Sequence, residues 1–482
     1  MSSVEKVKNL TEKALPRLED FRRFQKEGMI PIHGDFFASG VHYPPITMYA
    51  PITQEEMFRN YTLPEDGLLD VYVHIPFCIK RCIFCHYPSL YHASSPKKDM
   101  YLDALEKEMD IYMRVLGIDK INARSILIGG GTPTDLTPDQ LKRFLEYFTK
   151  RVNLDKCKQF NYDVDPATLI HSDGIERLKI MRDYGVDRLT IGVQSLNDKI
   201  LKRMNRSHDA REAIESVENS KKYGYQINIE FIFGHPGQTI ENWIETLKEA
   251  LKLETPELQF YRLKVEPYGD QEGVIKKFRQ YHPDELPKPE EAILMKQIAI
   301  ELLAEHGYNE NLRRVFTKKR SYISLYAFNQ CCQLLDEIGI GLTAFSSLRD
   351  RFVLNTQYFE EYYKCIEEGR LPLNRGIVRN KEQQMRWSVI LPLKNYFIRK
   401  KLFEKVNGFT IDKVFQDKFS VLKDYGLITE NENMIELTKM GAFFADEVVQ
   451  QFHDKAYIPF PEPDYANGPL NPYRQLATVI AP

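Results

Sequence analysis

From residue 69 onward, short apolar runs alternate with longer amphipathic stretches, the pattern expected of parallel β/α units in an α/β fold. Residues 70–75 read as the first strand, and 97–116 carry apolar side chains at helical spacing. A second strand at 125–128 runs into Gly129-Gly-Gly-Thr-Pro-Thr134, and a third at 160–164 is followed by a helix at 174–184. Strands at 187–193, 226–233 and 257–265 complete six units. In barrels of such units the chemistry sits at the C-terminal ends of the strands.

Outside these units the pattern changes. Residues 1–69 form an N-terminal arm, with an amphipathic helix expected at 5–26 and turn punctuation at Tyr43-Pro-Pro and Thr62-Leu-Pro-Glu-Asp-Gly67. The units occupy 70–310 and end with a helix at 290–306; an extension at 311–379 holds the Gly-rich run Ile338-Gly-Ile-Gly-Leu-Thr-Ala-Phe-Ser346. Within 380–456, a helix at 415–425, short strands at 426–428 and 434–437, and a helix at 438–452 read as a winged-helix-like domain, mostly helical. The tail, 457–482, reads as irregular.

Composition narrows the function. A formal net charge of -2 over 482 residues gives no reason to expect a nucleic-acid partner, and the winged-helix-like unit lacks an Arg-rich recognition helix. A lid or packing role is favoured for it. The start lacks the apolar core of a signal peptide and no run of about eighteen apolar residues follows, so no membrane span and a cytoplasmic location are expected. Seven cysteines, three of them clustered, do not read as a disulfide framework.

The cluster lies in Val71-Tyr-Val-His-Ile-Pro-Phe-Cys78-Ile-Lys-Arg-Cys82-Ile-Phe-Cys85-His-Tyr-Pro88. A closed zinc site takes four ligands and an electron-transfer cubane takes four thiolates. Cys78, Cys82 and Cys85 supply three, leaving one corner open unless His74 or His86 completes a zinc site. The C-x3-C-x2-C spacing, with His-Ile-Pro-Phe ahead of it and Phe84 before its last cysteine, resembles the radical S-adenosylmethionine (SAM) superfamily. The resemblance is to the oxygen-independent coproporphyrinogen III oxidase-like branch, which also holds a haem chaperone, haem-degrading enzymes and class C methyltransferases. It extends from about Tyr43 to about Phe452.

The resemblance implies a partial (β/α)6 barrel, a [4Fe-4S] cluster on Cys78, Cys82 and Cys85, and SAM on the free iron, cleaved reductively to a 5′-deoxyadenosyl radical. It implies SAM contacts from Gly130, Gly131 and Thr132, with Tyr72 and Phe84 beside cluster and adenine. Asp163 stands where the branch usually has Glu, and Glu230 where it usually has Asp. With Gln194 and Arg206 these residues are expected around SAM and a second SAM molecule. The resemblance implies an arm over the barrel mouth, with a plain surface extension as the equal alternative, and the Gly-rich run near the active site. An external electron donor such as flavodoxin or ferredoxin is implied.

Tyr87 occupies the position of a fourth cysteine in the oxidases. That departure turns the expectation toward class C methylation of an unsaturated or aromatic small molecule. Alternatives are oxidase-like or haem-degrading chemistry on a tetrapyrrole, and a haem chaperone. Candidates for catalytic groups are Tyr87, Lys264 and Glu266. Arg313, Arg314, Lys318, Lys319 and Arg320 could meet an anionic substrate, although a solvated helix face is the expected explanation.

Overall fold

The computed structural model describes residues 3–32, 42–265 and 274–474. Its centre is a run of parallel strands: β1 (Leu69–Ile75), β2 (Ile121–Gly130), β3 (Phe160–Val164), β4 (Arg188–Gln194), β5 (Gln226–Phe233) and β6 (Glu257–Arg262). Covered on both faces, β1 has all seven residues buried. Each fully buried Val or Ile there contributes about 1.5–3 kcal/mol. The connecting helices start on strong signals. Thr137 and Asp209 each close a capping box, with Gln140 and Glu212, worth about 1 kcal/mol per cap.

Antiparallel β7 (Asn309–Leu312) and β8 (Val315–Thr317) extend the sheet beyond β6. Beyond β1 lies β9 (Glu337–Ile340), which is parallel to it and so adds a seventh parallel strand to the six expected. β10 (Phe345–Leu348), β11 (Arg351–Asn355) and β12 (Leu373–Val378) then follow antiparallel. A Gly-rich run reads poorly as strand, yet Gly339 is needed there. A Cβ on it would lie 2.1 Å from the carbonyl oxygen of Phe345.

The arm contains two helices, Ser3–Ala14 and Pro16–Lys26, because Pro16 cannot continue the first. They pack on the helix Pro289–Glu305, where Lys13 meets Glu305 and Arg17 meets Gln297, on the outer layer, while His42 farther along the arm packs on Phe345. In the C-terminal region β13 (Phe397–Arg399), β14 (Ile428–Glu430) and β15 (Met434–Leu437) form a small sheet flanked by helices Lys381–Lys394, Lys400–Asn407 and Gln416–Asp424. This is the winged-helix-like arrangement, with one more strand, β13, than its apolar pattern suggests. No described helix is long and apolar enough to cross a membrane.

Candidate active site

Phe77–Cys78, just beyond β1, pairs with Leu90–Tyr91, which ties off the intervening cysteine loop. Cys78 is buried while Cys82 and Cys85 are partly exposed. Burial pushes the Cys78 thiol up to about 12, and the nearby Cys85 and Cys82 add to the rise, so it becomes a thiolate ligand only against a positive centre. Among the described residues no three His, Cys, Asp or Glu side chains converge on a single ion. His74 Nδ1 instead lies 2.8 Å from the Tyr72 hydroxyl, and His86 Nε2 lies 3.2 Å from the Lys264 carbonyl.

The triple glycine wraps this loop. The Gly131 N–H donates to Ile75 O at 2.9 Å, and the Thr132 N–H donates to Phe77 O at 2.6 Å. A Cβ on Gly131 would stand 2.6 Å from Phe77 O and 2.8 Å from Cys78 Sγ; one on Gly129 would stand 2.5 Å from Asp163 Oδ2. Gly130 adopts φ +118°, open to glycine alone at little cost. The Thr132 hydroxyl points at Cys78 Sγ, 3.8 Å away.

Arg206 joins the cysteine loop to the strand ends. Its Nη1 lies 3.1 Å from Cys82 Sγ, while Nη2 donates to Asp165 Oδ2 at 2.6 Å and to Gly192 O at 2.7 Å. Arg206, expected around SAM, thus already holds a carboxylate of the protein. Burial alone would raise the Asp165 carboxyl. Arg206, with His208 and Ser207, outweighs it and holds the group well below the usual carboxylate range. Asp165 was not among the expected site residues. It sits two positions from Asp163, so both side chains leave the chain on one side.

Within the barrel, Asp163 accepts from Asn161 Nδ2 at 3.0 Å and Glu230 accepts from the Tyr261 hydroxyl at 3.1 Å. Burial raises Asp163 to about 6. Burial and the charge of Asp163 raise Glu230 to about 7. Gln194, at the end of β4 with φ +66°, buries its Oε1 without a hydrogen-bond partner. Asn228 Oδ1 is buried and unpartnered in the same way.

Tyr72 packs against Phe345 with ring centroids 5.4 Å apart, and Thr343 reaches His74, so the Gly-rich run borders the mouth. Phe84 and Ile83 pack on Ile200, Met204, Leu263 and Ile275. Tyr87 is 62% exposed, and its phenol lies within reach of the charges of the barrel carboxyls Glu230 and Asp163. Crowding, then the charges of Cys85, Glu230 and Asp163, push its phenol up. Burial first, then Arg314, Lys394 and Arg313, push the Lys264 amine down to about 5. Glu266 lies outside the described residues.

The basic run is not a helix face. Arg313 and Arg314 form the β7–β8 turn and point inward, where Arg313 forks onto Asp446 and Lys394 Nζ lies 2.9 Å from the same carboxylate. Lys318, Lys319 and Arg320 remain exposed. Arg262, Lys296, Arg313 and Arg314, with Glu310 and Asp446, line a narrow cleft with room for about 20 Å³, backed by Phe233 and Phe260.

Residues 72–250 match the Radical SAM superfamily profile. These residues make a radical SAM domain, and the chain is similar over most of its length to HemN and HemW proteins. It is 28% identical over 388 residues to the haem chaperone HemW of Bacillus subtilis (strain 168), covering 79% of this chain and 98% of the chaperone. It is 27% identical over 435 residues to the oxygen-independent coproporphyrinogen III oxidase of Helicobacter pylori (strain J99), covering 85% of this chain and 92% of the oxidase. The fold matches that of the Escherichia coli coproporphyrinogen III oxidase HemN with a TM-score of 0.73 at 24% identity, over 87% of this chain and 98% of HemN.

A radical SAM enzyme of this branch implies a [4Fe-4S] cluster and SAM, and the residues present fit both. Three neighbouring thiols that share no single-ion geometry suit a cubane that gives each thiolate its own iron. The backbone around Gly131 closes on Cys78 too tightly for any side chain. The unpartnered Gln194 oxygen is an acceptor buried at the C-terminal end of β4, where a ligand donor would satisfy it.

Proposed function

We propose that this radical SAM enzyme acts on a carboxylate-bearing tetrapyrrole. Cys78, Cys82 and Cys85 hold the cluster, and Gly130, Gly131 and Thr132 offer backbone groups to SAM. When bound, cluster and SAM together supply reductive SAM cleavage and abstraction of hydrogen from carbon. Asp163 and Glu230 face the cationic and hydroxyl groups of SAM, Gln194 accepts from a ligand hydroxyl, and Tyr72 and Phe84 exclude water. Arg206 keeps Asp165 charged beside Cys82 and so positions the loop.

The observation that carries the substrate class is the clustering of cations where barrel meets C-terminal region, around a narrow cleft at which Arg262, Lys296, Arg313 and Arg314 outnumber Glu310 and Asp446. Such a surplus of buried cations suits propionate-like carboxylates. Oxidases and haem chaperones among the relatives weigh the same way. Lys264, held neutral near pH 7, is the group suited to take or give a proton beside that cleft. Methyl transfer with a second SAM is the second reading, favoured by Tyr87 in place of a fourth cysteine.

Anaerobic incubation of the iron-loaded enzyme with dithionite, methyl-deuterated SAM and a tetrapyrrole tests both. Undeuterated 5′-deoxyadenosine and a changed tetrapyrrole are expected. Deuterium in 5′-deoxyadenosine together with S-adenosylhomocysteine would replace this reading by methyl transfer. Stoichiometric haem binding without SAM cleavage would make the chain a chaperone.

A further inference from the structure

The cysteine loop is fastened on its outer side to two short helices. The Ile83 N–H donates to Met204 O at 3.2 Å and Asn205 Nδ2 donates to Arg81 O at 2.7 Å, which ties the loop to Asp198–Arg203. On its other side the Ile275 N–H donates to Ile83 O at 2.9 Å, which ties it to Val274–Tyr281. Ile83 and Phe84 pack with Ile200, Met204 and Ile275 beneath this rim.

The rim is strongly cationic. Among the described residues, 75–92, 198–205 and 274–285 carry Lys80, Arg81, Lys199, Lys202, Arg203, Lys276, Lys277 and Arg279 against Asp198, Asp284 and Glu285. Two of those acids are already engaged: Glu285 Oε2 lies 2.5 Å from Arg203, and Asp198 Oδ1 accepts from the Ala210 N–H. Lys80, Lys199, Lys202 and Lys277 are exposed. Tyr281 and Val274, 77% and 41% exposed, offer apolar surface beside them. A chain with a formal net charge of -2 has concentrated positive charge around the partly exposed Cys82 and Cys85.

We propose that this rim is the docking surface for an acidic protein that carries one electron at a time. The inference rests on the cluster assignment of the proposed function, because that cluster must be reduced from outside the chain. Electron transfer falls steeply with distance, and this face brings a partner against the loop that holds Cys82 and Cys85. Charge complementarity there raises the association rate and fixes the orientation, with an effect that salt removes.

The test uses the full-length, iron-loaded enzyme and flavodoxin as the probe, with K199E/K202E/K277E against wild type. K107E/K142E/K179E, on exposed outer-helix positions, is the charge control. At low ionic strength the rim variant is expected to bind oxidised flavodoxin at least tenfold more weakly by calorimetry, and to cleave SAM correspondingly more slowly with reduced flavodoxin. The gap closes at 0.5 M salt. Iron content and dithionite-driven SAM cleavage stay at the wild-type level. Equal flavodoxin affinity in rim variant and wild type, or equal losses in rim and control variants, overturns the docking surface. Wild-type enzyme that fails to cleave SAM even with dithionite overturns the cluster assignment instead.

Discussion

Gly131→Ala is the sharpest test of the cluster cradle. The added methyl would lie 2.6 Å from Phe77 O and 2.8 Å from Cys78 Sγ. Carbon prefers about 3.5–4.0 Å to such neighbours, so the overlap is roughly 1 Å. Phe77 O already accepts from the Thr132 N–H, and moving it forfeits about 1 kcal/mol of hydrogen bonding. The sulfur has the freer path, by rotation about its own χ1. Overpacking of this kind costs about 1–3 kcal/mol, enough to move a ligand without unfolding a protein of this size. The expected outcome is a melting temperature a few degrees lower, at least half of the iron lost per chain, and no spectral change on adding SAM. Gly408→Ala is the control. At φ +79° it carries a backbone strain of about 1–2 kcal/mol, yet its Cβ would meet nothing within 4 Å. It should lose similar stability and keep its iron. A Gly131→Ala protein with full iron and a normal SAM response would refute the argument that this glycine exists to admit Cys78.

Other residues give further tests. Arg206→Met in the metal-free protein should cost about 3–5 kcal/mol at pH 7 by denaturant unfolding, because the Asp165 carboxylate loses its main partner. Asp165 is held low in the folded state, so the stability it contributes is complete above its unfolded value of about 3.9 and is lost as pH falls below it; the gap between variant and wild type should shrink at pH 4. Asp163 and Glu230, raised to about 6 and about 7, are charged only above those values. SAM affinity by equilibrium dialysis should therefore weaken from pH 8 to pH 5.5, and Glu230→Gln should erase the step near 7; a flat profile in the wild type would detach both carboxyls from SAM. Raised carboxyls stabilise the fold fully only below their unfolded values, so the SAM-free protein should also lose stability as pH rises through 6 and 7. Tyr87→Phe keeps the ring and removes the hydroxyl. If that hydroxyl handles a proton or hydrogen, product formation should drop roughly a hundredfold while 5′-deoxyadenosine still forms, and unchanged product would strike Tyr87 from the candidates.

How much of this was readable along the chain depends on how local each determinant is. The six parallel strands were legible because each carries its own apolar run, and the cysteine motif because its ligands lie within eight residues. β9 was not, since a four-residue strand built around Gly339 has little propensity to announce it. It forms because Gly339 alone allows the Phe345 backbone to approach, and because β1 offers an unpaired edge. Arg313 and Arg314 read as a solvated basic run because Asp446, which turns them inward, lies more than 130 residues away. Arg206 shows the same limit inside the site. Its residue type and loop position suggested a SAM contact, and only tertiary structure reveals that Asp165, Gly192 and Cys82 already take its Nη donors. That difference alters the chemistry expected of it. An arginine whose charge is spent on a buried aspartate fixes the geometry of the cysteine loop, so removing it should disturb cluster retention before it disturbs SAM affinity, in the reverse order to a ligand contact.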